Sequence, residues 1–154
     1  YAQWPTTMVL ACEYIEDLEG TGAARFPGRW NSKGTYILYT AATPSLALLE
    51  SVVHISNIAI SSYCMICLDI PDGKTKTIVS SELPDNWFNN PPIDALKHIG
   101  DSFIKENKFL ALKIPSAIMP EENNYLLNPA HPDFKKVSTV YVRNIPIDER
   151  FLRR

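Results

Sequence analysis

The chain has 154 residues, 45% of them apolar and 21% charged, with a formal net charge of −2. That size fits one globular domain able to bury a core without staples. The slightly acidic balance excludes nucleic-acid binding by bulk electrostatics, and no apolar run reaches the length that crosses a bilayer. The opening Tyr-Ala-Gln-Trp-Pro lacks the charged and apolar regions of a signal peptide, so a soluble intracellular protein is expected.

In chain order, Thr7 to Cys12 predicts a first strand, followed by a short helical stretch ending near Gly20. From Gly20 to Gly34 runs Gly-Thr-Gly-Ala-Ala-Arg-Phe-Pro-Gly-Arg-Trp-Asn-Ser-Lys-Gly, with neither helical nor strand periodicity. Its glycines let a ligand approach the main chain, its arginines offer planar forks for phosphate oxygens, and Trp30 offers a flat face. Such a loop suits an anionic, partly aromatic molecule such as a nucleotide. The plainer alternative is a set of turns with Trp30 capping the core.

Thr35 to Thr40 is β-prone. Thr43-Pro44 then opens a helix running to about Ser56, with threonine as cap and proline at the first helical position. Tyr63 to Ile70 and Thr75 to Val79 read as two strands around a Pro-Asp-Gly turn. Leu83 to Phe88 reads as a short turn of helix. Pro92 to Asn107 predicts an amphipathic helix, with Ile93, Leu96, Ile99, Phe103 and Ile104 at helical spacing.

Phe109 to Ile114 alternates like a strand, and Ser116 to Met119 reads as its continuation after Pro115. Glu121 to Leu127 is ambiguous, His131 to Lys135 reads as one helical turn, and Val137 to Ile145 as a last strand. Twelve prolines punctuate these short elements. The interleaving lacks strict βαβ alternation, so the expected class is an α+β single domain with a central mixed sheet flanked by helices.

The cysteines are Cys12, Cys64 and Cys67. An odd count is a poor disulfide framework, and Cys64 and Cys67 fall in a predicted strand where residues three apart face opposite sides. Buried structural thiols are expected. Zinc needs about four ligands and His54, His98 and His131 are scattered, so no metal is assigned.

Glu50 stands out in Leu46-Ala47-Leu48-Leu49-Glu50-Ser51-Val52-Val53, the most apolar helix. It lies at the border of the face made by Leu46, Leu49 and Val53, beside His54. A carboxylate there is partly desolvated and calls for a donor. A helix-edge glutamate that reaches water or pairs with His54 is the equal alternative. Ser116 lacks a Gly-x-Ser-x-Gly setting, so it is no hydrolase nucleophile; it and Asn128 remain candidates for hydrogen bonds to a ligand. Asparagine beside proline, as at Asn128, more often only makes a turn.

Taken together, Gly20-Thr-Gly-Ala-Ala, Gly28-Arg29-Trp30-Asn31-Ser-Lys-Gly34, Leu38-Tyr39-Thr40-Ala41, Leu46-Ala47-Leu48-Leu49-Glu50, Pro115-Ser116-Ala117 and the run from Asn124 to Phe134 resemble the RES-domain family in content and order. Pro146-Ile147-Asp148-Glu149-Arg150 extends the likeness. This family is the toxin half of bacterial RES–Xre toxin–antitoxin pairs. Its arginine, glutamate and serine map onto Arg29, Glu50 and Ser116. Two departures are visible: Pro27 stands where the family usually has glycine, and Thr7-Met8-Val9-Leu10 stands where it often has a strand carrying arginine.

The resemblance implies a single RES domain over residues 1–154, with a fold similar to ADP-ribosyltransferase toxins. It implies a cytoplasmic toxin that cleaves the nicotinamide–ribose bond of NAD+, by hydrolysis or phosphorolysis. Protein ADP-ribosylation, or a non-catalytic nucleotide-binding or interaction module, are the alternatives. The implied catalytic residues are Arg29, Tyr39, Glu50 and Ser116; the implied substrate contacts are Arg29, Trp30, Asn31, Tyr39 and Asn128. NAD+ enters as substrate, with no separate cofactor. The implied partner is an Xre-like antitoxin, with no direct DNA or membrane contact by this chain, and a homo-oligomer is left open.

Overall fold

The computed structural model describes residues 4–54 and 62–152. Among the described residues seven strands form one sheet, and three α-helices and several one-turn 3-10 helices surround it. The strands are β1 (Trp4–Ala11), β2 (Leu38–Ala41), β3 (Tyr63–Ile70), β4 (Thr75–Thr77), β5 (Ala111–Pro115), β6 (Asn123–Leu127) and β7 (Ser138–Ile145). Their spatial order is β4-β5-β6-β2-β1-β3-β7. Only the β4–β5 pair is parallel, so the sheet is mixed, as expected.

The helices are α1 (Thr21–Arg25), α2 (Pro44–Val52) and α3 (Asp94–Glu106). Helix α2 starts as the sequence predicts: Thr43 is extended, its hydroxyl accepts from the Leu46 amide, and Pro44 occupies the first turn. It ends at Val52, before the expected Ser56, which lies outside the described residues. Helix α3 ends where Asn107 turns left-handed at φ 52° and its amide bonds back to Phe103.

Strand side chains alternate between faces, and the core divides accordingly. On one face Leu112 and Ile114 of β5, Leu126 of β6 and Tyr39 of β2 pack with Leu96 and Phe103 of α3 and with Trp30 and Trp87. On the same face Val9, Ala41 and Met65 receive Leu46 and Ala47 of α2. The opposite face holds Met8, Leu38, Ile66, Leu68, Ile70, Ala111 and Leu127, with Ile15, Leu18, Phe134 and Val137 packed against it. Helices α2 and α3 therefore share a face of the sheet, a placement that decides where the site forms.

Four expectations are corrected. The stretch after Thr21 is not irregular throughout, because five residues form α1. Tyr63–Ile70 and Thr75–Thr77 do not pair around Pro-Asp-Gly; β5, β6, β2 and β1 lie between β4 and β3 in the sheet order, and β4 pairs in parallel with β5. Strand β5 stops at Pro115, since Ser116 turns away and its hydroxyl accepts from the amides of Ile118 and Met119. Finally, Cys12 and Cys64 are joined as a disulfide, Cα atoms 4.8 Å apart, which the odd cysteine count had obscured. Cys67 is a buried free thiol.

Candidate active site

Alternation along three neighbouring strands brings polar side chains to the α2–α3 face. Residues 112 and 114, residues 124 and 126, and residues 39 and 41 share a parity, and Ser116 follows directly on β5. The register aligns them: Leu112 opposite Leu126, Ile114 opposite Asn124, Tyr39 opposite Leu126 and Ala41 opposite Asn124. The apolar members build the core, while Ser116, Asn124 and Tyr39 sit beside it.

Glu50 descends onto this face from α2. Its Oε1 accepts two hydrogen bonds, from Ser116 Oγ at 2.7 Å and from Asn124 Nδ2 at 2.7 Å. The serine geometry is over-determined. A hydroxyl has one proton and two acceptor positions; the amides of Ile118 (3.2 Å) and Met119 (3.1 Å) engage the acceptors, so the proton points to Glu50. Ser116 is fully buried and Glu50 half-buried. The pairing with His54 weighed from helix geometry is not what holds Glu50; His54 is exposed beyond the end of α2.

Helix α2 is itself tied on both sides. Thr43 Oγ1 donates to Glu122 Oε1 at 3.2 Å, in the turn whose main chain also receives the Ser116 amide. Ser51 Oγ lies 2.9 Å from the carbonyls of both Val9 and Ala47 and shares its one proton between them, tying the far end to β1. The helix carrying the carboxylate and the turn carrying its donors are thus one assembly.

Arg29 approaches from the loop between α1 and β2. Its Nη1 donates to the carbonyls of Trp87 (3.1 Å) and Asn89 (2.7 Å). Burial pushes the guanidinium below its ordinary pKa, and the nearby charge of Glu50 and then Tyr39 counteracts this. An arginine remains charged throughout. Arg29 and Glu50 are therefore within electrostatic reach of one another.

Tyr39 is held by the same loop. Its hydroxyl donates to Asn31 Oδ1 at 2.6 Å and accepts from the Trp30 amide at 3.1 Å. Burial raises its pKa far above the ordinary tyrosine range, so the phenol stays protonated. Gly28 is required beside it, because a side chain there would collide with the Tyr39 ring and hydroxyl.

The remaining sequence candidates are placed in the scaffold. Trp30 is buried in the core cluster with Trp87, Leu96 and Phe103. Asn31 is fully buried: its Oδ1 accepts from Gly28 N and Tyr39 OH, and its Nδ2 donates to the carbonyls of Ala23, Ser32 and Thr35. Asn128 is also fully buried, donating to Asn107 Oδ1 and accepting from the Ala130 amide. The structure brings Arg29, Tyr39, Glu50 and Ser116 together, while the polar atoms of Asn31 and Asn128 are engaged within the chain. Asn124 was missed. Its signal was parity with Leu126 along β6, hidden because Glu121 to Leu127 had no clear period.

Clefts of about 330 and 460 Å³ lie elsewhere, one at Asp72, Lys113 and Tyr125 and one between β4 and α3. What marks the Glu50 face is its converging polar groups. Among the described residues no cluster of His, Cys, Asp or Glu could hold a metal ion, and no helix is long and apolar enough to cross a membrane.

A mixed sheet with two helices on one face, and an arginine, glutamate and serine converging there, defines an α+β protein with a polar site on its helix-bearing face. The model of the RES domain matches residues 10–151, and the chain belongs to that family. It is 33% identical over 144 residues to Toxin Res of Photorhabdus laumondii subsp. laumondii, covering 92% of each chain. It is 34% identical over 144 residues to the Prs ADP-ribosylating toxin of Sphingobium sp. (strain YBL2), covering 90% of this chain and 89% of that one. In fold it is similar to a chain of the M. tuberculosis MbcT–MbcA toxin–antitoxin complex, with a TM-score of 0.78 at 13% identity over 94% of this chain and 85% of that one.

Proposed function

We propose that this RES-domain toxin destroys NAD+ by breaking the bond between nicotinamide and ribose. The observation that carries the reading is Glu50, a carboxylate fixed by two donors on one oxygen and placed in the field of an anchored guanidinium. When the bond breaks, its electron pair stays on the pyridine nitrogen and nicotinamide leaves neutral, so no general acid is needed. Positive charge develops on the ribose, as in glycoside hydrolysis. The Glu50 carboxylate stabilises that charge and orients a water. Water oxygen bonds to the ribose carbon and its proton passes to solvent, giving ADP-ribose; inorganic phosphate in its place gives ADP-ribose phosphate.

The described bonds of Arg29 all run through Nη1. Its Nε and Nη2 suit charge-assisted bonds to the pyrophosphate. The Tyr39 hydroxyl is engaged by Asn31 and Trp30, so Tyr39 offers the substrate its ring. Ser116 acts through Glu50. Purified chain incubated with NAD+ alone should release nicotinamide and ADP-ribose in equal amounts. Glu50→Gln should cut that release by roughly 10²–10³-fold, the cost of losing one electrostatic stabiliser, with the thermal midpoint retained. Unchanged release by Glu50→Gln sinks the reading.

One relative's name, ADP-ribosylating toxin, favours a second outcome for the same chemistry, in which a protein side chain takes the ADP-ribose. A strict transferase releases little nicotinamide from NAD+ until its target protein is added, and the same assay separates the two. The relatives named toxins and the toxin–antitoxin complex of like fold also support an antitoxin partner and a cytoplasmic site of action. In that reducing compartment Cys12 and Cys64 would stand as thiols.

A further inference from the structure

Asn124 has two ends with opposite fates. Its Nδ2 donates to Glu50 Oε1 at 2.7 Å, while its Oδ1 is buried with no hydrogen-bond partner among the described residues. A buried acceptor left unsatisfied is destabilising, and native chains contain few of them. Packing alone is better served by an apolar side chain at this inward-facing position, whose neighbours by parity and register are Leu126, Ile114 and Ala41. Holding Glu50 is what accounts for the amide.

Resting on the NAD+ reading above, we infer that Asn124 is a positioning residue, which with Ser116 captures Oε1 of Glu50 so that Oε2 is presented to the substrate. Two donors on one oxygen fix both the rotamer and the plane of the carboxylate. Either donor alone leaves it free to swing about the remaining bond. Such control matters for reactivity because the carboxylate must meet charge at one carbon, and a small misplacement lowers kcat rather than binding.

The test replaces the donor without changing the shape. In Asn124→Asp an oxygen stands where Nδ2 faced Glu50, and two carboxylates so close cannot both be charged without penalty. Near pH 8 the pair repels and Glu50 loses its position. In mild acid the pair shares one proton, which restores both a donor to Glu50 and the single negative charge of the wild-type arrangement. Other charges near Glu50 are identical in wild type and variant: Arg29 facing it, Glu122 bonded to Thr43 in the adjoining turn, and exposed His54 on its own helix. A difference between the two pH profiles therefore reports on position 124.

Nicotinamide release is measured from pH 5 to 9 for wild type, Asn124→Asp and Asn124→Ala, with thermal midpoints alongside. At pH 8 both variants should lose roughly 10²-fold in kcat, with KM for NAD+ within about threefold of wild type. Only Asn124→Asp should recover in acid, moving its optimum down by about one pH unit or more. Wild-type kcat and profile in both variants, or an equal loss at every pH with a fallen thermal midpoint, overturns the positioning role alone. No nicotinamide release by the wild-type chain, either from NAD+ alone or with cell extract added as a source of acceptor protein, overturns the NAD+ reading, and this inference with it.

Discussion

Arg29 shows how much of a residue's role depends on what its neighbours already hold. Two main-chain carbonyls fix its Nη1, so the side chain is aimed before any ligand arrives, and burial among neutral groups leaves Glu50 as its main opposing charge. Pre-aimed cations bind phosphate with little further ordering. Arg29→Ala should therefore raise KM for NAD+ by roughly 10- to 100-fold, the equivalent of about 1.5–3 kcal/mol for hydrogen bonds to a charged group, and change kcat less. Steady-state kinetics check this, and an unaltered KM contradicts the role. Arg29, Glu50 and Ser116 were legible because an ordered set of motifs named them together. Trp30, Asn31 and Asn128 belong to the same motifs, and residue type cannot tell a polar group that faces a ligand from one engaged in building the loop. Asn31, with both ends of its amide bonded inside the chain, is of the second kind.

At the scale of elements, α3 is the support on which the Arg29 loop rests. Consecutive residues make the joint. Gly100 allows the helix to approach so closely that a side chain there would overlap the Trp30 carbonyl, and Asp101 Oδ1 accepts from the Ser32 amide at 2.9 Å. Burial opposes the charge on Asp101, but bonds from the Ser32 hydroxyl and amide and from Thr35, with His98 nearby, hold its pKa below the ordinary aspartate value. A depressed carboxyl pKa stabilises above the unfolded value and is lost as pH falls through the folded one, so the joint weakens in acid. Gly100→Ala sets two effects against each other. Alanine improves a helix interior by roughly 0.5–1 kcal/mol, while overpacking against backbone costs about 1–3 kcal/mol. The obstacle is a carbonyl that cannot swing aside, so overpacking wins and urea unfolding should show net destabilisation. A more stable variant would mean that α3 does not rest on the loop as described. The helix itself was legible from its apolar spacing, but this seat was not, because a glycine inside a helix gives no hint of what it touches. Strand β4 was misplaced for a related reason: three residues beside a Pro-Asp-Gly turn look like half of a hairpin, and only the distant β5 reveals the parallel pairing.

The whole molecule is closed by a cross-link that cysteine counting did not reveal. Cys12 follows β1 and Cys64 lies in β3, strands already paired with Leu10 opposite Cys64 and Ala11 opposite Tyr63. The ladder alone brings the two sulfurs together, so the bond asks little of the folded chain and acts mainly on the unfolded one. With a separation of 52 residues, loop-closure entropy gives about 4 kcal/mol as the upper value in the chain-entropy model. Asn144 Oδ1 sits 3.0 Å from the Cys64 sulfur, a contact in the disulfide, which has no hydrogen to donate, and a hydrogen-bond acceptor for the reduced thiol. Reduction therefore leaves the sulfurs in a site that suits either state. Urea unfolding of the oxidised chain should occur at higher denaturant than with a reductant present, while Cys12→Ser should match the reduced chain and ignore the reductant. Nicotinamide release should be the same in all three, since Glu50, Ser116 and Asn124 are held by α2, β5 and β6, and neither cysteine touches them. If reduction changes turnover while the fold persists, the β1–β3 end is coupled to Glu50 through the bond of Ser51 on α2 to the Val9 carbonyl of β1, and the cross-link governs the site as well as the stability.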